Sequence, residues 1–359
     1  MTRALSTNSG LVRFDRSDRT TIISLPNDMG IKVSKERLTI AIDCGSLWWK
    51  VAVLQEIGGI VQITITRILN YLVQKDRSAL SNDEDINYRG KTYALDEKGA
   101  YLGGESKLHG NKMEGLHLRL MAALNYIGLG NGEEIDLSIT TFFEKGQFKK
   151  RQMEAVKQLS APLTWSSSEG KKSNKIANLK VYPEGYHLAF YRSLSNPKAS
   201  TSKGWSAVYD IGNRTFGCNF IAPNGKFDDD RSVTFDGSGV SLFRRWLADE
   251  AGIDTPEDPA FIEAINQNAD QYQPQGSSIS YPLADARATA TEWYLGQLNE
   301  HILEATPAEV EVSCIGGGGA YPFGALLLPD LRGSDRYVVS EPDIANVSAQ
   351  LVMMAREIR

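Results

Sequence analysis

The sequence predicts an α/β protein of two duplicated units with a nucleotide cleft between them, and three observations carry the prediction. First, one word occurs twice: Asp-x-Gly and a small polar turn set between strand-like runs. It spans residues 38–54, with Asp43, Gly45, Ser46 and Lys50, and again residues 207–221, with Asp210, Gly212, Asn213, Arg214 and Thr215. Second, each copy is followed by a third strand-like segment, so a strand meander recurs. Third, residues 312–320 form a strand running into Gly316, Gly317, Gly318, Gly319 and Ala320, where nucleotide rings can lie against bare backbone. A glycine in a hairpin turn lets N–H groups approach phosphate oxygens, and an aspartate at a strand end can hold a hydrated divalent metal.

Element by element, residues 1–36 carry mixed charge and one short apolar stretch, Thr21-Ile-Ile-Ser-Leu25, which predicts a flexible extension. The alternative is an arm that docks on a neighbour through Ile22, Ile23 and Leu25. Residues 38–54 read as strand, turn, strand, and residues 60–68 alternate β-branched with polar side chains as a third strand requires. Residues 83–90 form an acidic loop. Apolar side chains at helical spacing follow over 116–127, then a strand over 135–142 and a helix over 149–159. Residues 166–174 are a polar turn between strands. A short helix through Leu188 and Tyr191 leads to a linker at 193–203.

The second meander covers residues 206–211, 216–222 and 227–235, with a Pro-Asn-Gly turn at 223–225. A helix over 240–248 places Arg244 and Arg245 either beside an adenine or ribose or on a solvated face. Loops are expected at 254–259 and 271–278, a long helix at 284–304 and a strand at 310–315. Ile344, Val347, Leu351, Met354 and Ile358 fall at three-and-four spacing, an amphipathic helix expected to pack back on the first domain, the alternative being a free interaction helix.

These pieces, in this order, resemble the actin-like ATPase superfamily, and within it the ParM/StbA-type plasmid-segregation proteins, over residues 37–359. The phosphate-1 motif matches in Asp43, Gly45, Ser46 and Lys50, and the adenosine motif in Gly316 to Ala320. Val181-Tyr-Pro183-Glu184-Gly185 resembles the first connecting segment, and Glu341-Pro342-Asp-Ile-Ala345-Asn346-Val347 the second. The resemblance implies two RNase H-like domains, residues 37–200 with 341–359 and residues 201–340. It implies a cofactor of ATP, or GTP, with Mg2+ held through water by Asp43 and Asp210. Lys50 would lie along the phosphates, and Glu184 would orient the attacking water. Gly212, Asn213, Arg214, Thr215 and Arg244 complete the expected nucleotide contacts.

The resemblance further implies nucleotide-driven head-to-tail filaments, with a ParR-type DNA-binding adaptor coupling them to plasmid movement. The second hairpin departs from the family's pattern in Asn213 for a glycine, Phe216 for a threonine and Gly217 for an aspartate. Those departures leave room for a non-hydrolysing, non-polymerising nucleotide-binding regulator; a small-molecule kinase of the same superfamily would need a sugar pocket that no motif supplies.

Composition bounds the alternatives. A chain of 359 residues, 42% hydrophobic, can bury a sizeable core in two domains. Its net charge of −5 gives no basic field for direct nucleic-acid binding. No apolar run reaches a bilayer span and the polar start lacks a signal core, so a cytoplasmic protein is expected. Cys44, Cys218 and Cys314 have no metal-ligand spacing. They read either as small strand residues near the cleft or as thiols whose oxidation blocks it.

Overall fold

The computed structural model describes residues 19–26, 29–75, 85–96, 105–106, 113–195 and 204–357. The chain divides into two units, Met1–Lys203 with Val339–Arg359, and Gly204–Val338.

Unit 1 contains β1 (Thr20–Ser24), β2 (Leu38–Cys44), β3 (Trp48–Ile57), β4 (Ile60–Leu69), β5 (Tyr71–Lys75), β6 (Ile86–Tyr88), β7 (Lys91–Ala94) and β8 (Glu105–Ser106). Then come α1 (Leu116–Tyr126), β9 (Glu134–Thr141), α2 (Phe148–Leu159), β10 (Leu163–Ser167), β11 (Gly170–Pro183) and α3 (Leu188–Ser195). The strands form one sheet in the order β1-β4-β3-β2-β9-β11-β10-β6-β7-β5-β8. Period-2 alternation splits the central side chains between two layers. Ile40, Ile42, Trp49, Val51 and Val53 pack with Leu120 and Leu124 of α1. Ala41, Ala52 and Leu54 pack, with Ile63 and Ile65, against a helix that follows unit 2 in sequence, α8 (Pro342–Glu357).

Unit 2 contains β12 (Trp205–Ile211), β13 (Thr215–Ile221), β14 (Val233–Asp236), α4 (Val240–Ala251), α5 (Pro259–Asn266), β15 (Gln271–Tyr272), β16 (Tyr281–Pro282), α6 (Ala284–Ala305), β17 (Val310–Gly316), α7 (Ala320–Leu327) and β18 (Asp335–Val338). Its main sheet runs β14-β13-β12-β17-β18. Tyr209, Ile211, Phe216 and Phe220 from one face pack against Phe243 and Leu247 of α4, Tyr294 and Leu298 of α6, and Phe323 of α7.

The duplication is visible in strand order. In unit 1 the run β4-β3-β2-β9-β11 has an antiparallel meander followed by two parallel neighbours, and β14-β13-β12-β17-β18 repeats it.

Several elements differ from expectation. Thr20–Ser24, expected within a flexible extension, pairs antiparallel with β4 from Thr20↔Thr66 to Ser24↔Gln62. Ile23, Leu25, Met29 and Ile31 are buried in the layer that holds α8. The apolar pair Ile23 and Leu25 therefore covers its own unit's core, and Arg67 ties the strand down by donating to Thr21 Oγ1 at 3.0 Å and to Asp343 at 2.7 Å. Residues 1–18 lie outside the described residues, as do 196–203 of the expected linker, 83–84 of the acidic loop and Ile358. The turn expected at 166–174 is shorter, because β10 and β11 pair up to Ser167↔Gly170. The strand expected at 227–235 shrinks to β14, since Asp228 Oδ1 accepts from the N–H groups of Asp230 and Arg231 and bends the chain.

Candidate functional site

In both units, the expected residues gather at the carboxyl ends of parallel strands, the edge where open α/β sheets bind ligands. In unit 1, β2, β9 and β11 run parallel and end near Asp43, Thr141 and Pro183 respectively. Asp43 faces Lys50 in the β2–β3 register, and Lys50 Nζ lies 2.9 Å from Asp43 Oδ2. Oδ1 accepts from Thr140 Oγ1 at 2.8 Å and from Asn346 Nδ2 at 3.4 Å. Thr140 Oγ1 in turn accepts from Cys44 N at 3.1 Å. The carboxylate is thus held on both oxygens by groups from three elements. Within the turn, a Cβ on Gly45 would sit 2.3 Å from the Trp48 carbonyl oxygen, so only glycine fits. Ser46 is buried.

Glu184 begins the turn after β11, and its N–H donates to Thr141 O at 2.9 Å. Gly185 follows with φ of 75°. His187 N then donates to Asn346 Oδ1 at 3.2 Å. One asparagine of α8 therefore touches both the Asp43 carboxylate and the turn that carries Glu184. The His187 imidazole is wholly buried between Tyr182 and Tyr186, and neither ring nitrogen has a hydrogen-bond partner. Burial drives its pKa down to about 3 against the opposing pull of the Asp43 charge, so the ring is neutral.

In unit 2, Asp210 pairs with Gly217 on β13 and with Gly316 on β17. Gly317 has φ of 81°, and a Cβ there would meet Asp210 Oδ1 at 2.3 Å and Ile211 O at 2.6 Å. Gly318 has nothing within 4 Å of a Cβ, whereas one on Gly319 would strike Ile211 Cγ2 at 2.3 Å. The glycine run is thus pressed onto the end of β12 at two positions and open at one. Ala320 opens α7. The hairpin after Asp210 is closed by Gly212 N donating to Thr215 O at 2.9 Å. The first turn of α4 caps it, with N–H groups of Gly239, Val240 and Ser241 donating to the carbonyls of Arg214, Gly212 and Asn213.

Asn213 Oδ1 accepts from the buried Arg244 at 2.8 Å, and Arg244 also donates to Glu257 at 3.2 Å. Of the two arginines read on one helix, Arg244 is inside and Arg245 is on the solvated side. Arg214 is paired with Asp236 of β14 at 2.6 and 2.5 Å. The other departures have plain consequences: Phe216 is buried and stacked with Tyr209 and Phe235, and Gly217 puts no carboxylate opposite Asp210. All three cysteines are buried and form no disulfide, and burial pushes the Cys218 thiol upward and that of Cys314 to about 12. Both thiols are held protonated and pack the strands rather than react.

The residues fit a nucleotide: Gly318 offers open backbone, while Gly45 and Gly317 let the first turn close on Trp48 and the glycine run close on Asp210 and Ile211. They also fit an ion that keeps most of its water, since each hairpin offers a single carboxylate, and the described residues contain no cluster of three or more His, Cys, Asp or Glu suited to direct coordination. From sequence alone Thr140 and His187 have no role, and Asn346 is named only within the second connecting segment, without its contact to Asp43. Thr140 and Thr141 leave a signal, two hydroxyls in succession where the strand's alternation of polar and apolar side chains breaks off.

No protein-family model and no curated protein matches the chain. Solved structures do. A 15-stranded ParM filament from Clostridium botulinum is 17% identical, covering 90% of this chain and 99% of that one at a TM-score of 0.67. An archaeal actin homolog in complex with ADP is 18% identical, covering 89% and 99% at 0.68. An apo psk41 ParM protein is 12% identical, covering 90% and 98% at 0.64. With the repeated strand order of the two units, these likenesses show that the chain has the actin-like ATPase fold, of ParM type.

Proposed function

We propose that this protein is a ParM-like cytomotive ATPase that polymerises into actin-like filaments on binding Mg-ATP. The observation that carries the reading is that both units place an aspartate at the next-to-last position of a strand with a parallel neighbour, with the glycine of a hairpin turn two residues on. Asp43 and Asp210 are assigned to the hydrated metal, Lys50 to the β- and γ-phosphates, and Gly316 to Ala320 to the nucleoside. When bound, the nucleotide and its metal supply the phosphoanhydride to be cleaved and the cation that neutralises it. The chain's own part is to orient and to offset charge. Lys50 brings an ammonium to the first hairpin, the Thr140 and Asn346 bonds fix the Asp43 rotamer, and Glu184 orients or deprotonates a water. ATP, or GTP, as the nucleotide, a ParR-type adaptor, plasmid cargo and a cytoplasmic setting belong to the same reading. Its support is the ParM-type fold, and the presence of filament-forming ParM proteins among the structural neighbours.

A second reading, a nucleotide-binding regulator that hydrolyses poorly, is favoured by the second hairpin: Asn213 is braced by Arg244, and no carboxylate stands at Gly217. Sedimentation and negative-stain microscopy with and without Mg-nucleotide, run beside a phosphate-release assay, test both. Nucleotide-dependent filaments with phosphate release support the first reading. A protein that stays monomeric at high concentration with every nucleotide overturns it.

A further inference from the structure

The corner between β4 and β5 holds an asparagine that no motif singled out. Asn70 is 3% exposed, and every polar group it carries is directed at one of two places. Its backbone N–H donates to Leu47 O at 2.8 Å, and its side-chain Nδ2 donates to Gly45 O and to Ser46 O, both at 3.2 Å. Three successive carbonyls of the first hairpin therefore converge on one residue. On the other side, the buried Arg119 of α1 donates through Nη1 to Asn70 Oδ1, and to Asn70 O at 3.1 Å. An arginine cannot accept, so it fixes the amide with its oxygen toward α1 and its nitrogen toward the hairpin.

A trans peptide is planar, with its C=O and N–H pointing opposite ways. Holding the carbonyls of Gly45 and Ser46 toward Asn70 therefore turns the N–H groups of Ser46 and Leu47 to the opposite side. Successive N–H groups aimed together form an anion nest. Gly45, the one residue the turn admits there, gives that segment a choice of peptide orientations, and something must select among them.

We infer that Asn70, clamped by Arg119, is the positioning residue that holds the first hairpin in its phosphate-binding form. The inference rests on the reading of Asp43 to Lys50 as a phosphate hairpin. Asn70 touches no phosphate; it sets the direction of the amides that do. Its loss weakens ligands in proportion to the phosphates they carry and leaves the nucleoside end alone.

The test is calorimetric titration of the full chain with Mg-ATP and, in competition, adenosine. Asn70→Asp is nearly isosteric and keeps an acceptor for Arg119, but cannot donate to the two carbonyls. We expect its Mg-ATP affinity to fall about 10- to 100-fold, the worth of two hydrogen bonds, with adenosine affinity unchanged. Hydrogen exchange in the 44–49 segment of the ligand-free protein should also quicken. Equal loss for both ligands, or loss for neither, overturns the inference. Lys50→Ala in the same series separates the two levels: if it abolishes Mg-ATP binding while Asn70→Asp binds as wild type, the hairpin reading stands and the role of Asn70 falls. If Lys50→Ala binds as wild type, the hairpin reading falls and takes the inference with it. Should Asn70→Asp fail to fold, Asn70→Ala, which adds no charge, is titrated instead with the same deciding outcomes.

Discussion

Two neighbouring glycines make opposite predictions under the same substitution. In Gly317→Ala the new methyl would stand 2.3 Å from Asp210 Oδ1 and 2.6 Å from Ile211 O, about 1 Å inside ordinary contact. Ile211 cannot yield freely, because β12 is hydrogen-bonded to β13 on one side and to β17 on the other. The residue also has a φ of 81°, which costs an L side chain roughly 1–2 kcal/mol. With about 1–3 kcal/mol for overpacking, Gly317→Ala should lose roughly 2–5 kcal/mol of stability in urea unfolding. Gly318→Ala meets nothing within 4 Å and should unfold as wild type, within about 0.5 kcal/mol. If a nucleotide lies against that open backbone, the same methyl should weaken Mg-ATP at least about tenfold in a calorimetric titration. A Gly318→Ala protein with wild-type stability and wild-type affinity would refute the assignment of the glycine run to the nucleotide.

The remaining expectations concern four other places. Lys50→Ala and Asp43→Ala should each weaken Mg-ATP binding or its metal dependence, because each removes a charge aimed at the triphosphate; titrations at several magnesium concentrations would show it. Glu184→Ala should cut phosphate release by roughly 10²–10⁴-fold while nucleotide-dependent pelleting persists and polymers live longer, checked on one preparation. His187 is depressed in the folded state, so only the unfolded chain takes up its proton as pH falls below about 6.5. Its contribution is complete above that pH and is lost toward about pH 3, at up to about 1.4 kcal/mol per unit, and His187→Leu should flatten this slope in unfolding titrations. Ile23→Ala should cost about 2–4 kcal/mol in urea unfolding, since the side chain is buried beside α8, whereas a flexible arm would show no change.

The strands of both meanders were legible because alternation and β-branching state them directly, and the Asp-x-Gly words mark where they turn. What escaped was set by distance in sequence. Asn346 reaches Asp43 across 303 positions, and Asn70 meets Arg119 across 49, so no local window holds either contact. Thr20–Ser24 reads as tail because five residues carry too little pattern; pairing with β4 and burial of Ile23 and Leu25 supply what local propensity does not. The helix α5 was missed despite a local signal, Asp258 capping Ala260 N with Pro259 at the first helical position. Arg244 illustrates the limit of reading charge as surface: its burial is made tolerable by Asn213 and Glu257, both remote from it on the chain.

The placement of α8 has a consequence for how the protein is made. Unit 2 is one uninterrupted stretch of chain, but unit 1 is finished only by α8, which leaves the ribosome after all of unit 2. Until then the layer of Ala41, Ala52, Leu54, Ile63 and Ile65 has only Leu194 of α3 and Ile23, Leu25, Met29 and Ile31 packed with it and lacks α8, although its strands were synthesised long before. Unit 2 is therefore free to fold first, while the older half waits with the part of its apolar sheet face that α8 covers open to water, a state prone to aggregate. A ribosome that stops anywhere within unit 2 releases a chain that cannot complete unit 1, and such fragments are natural clients for chaperones and proteases.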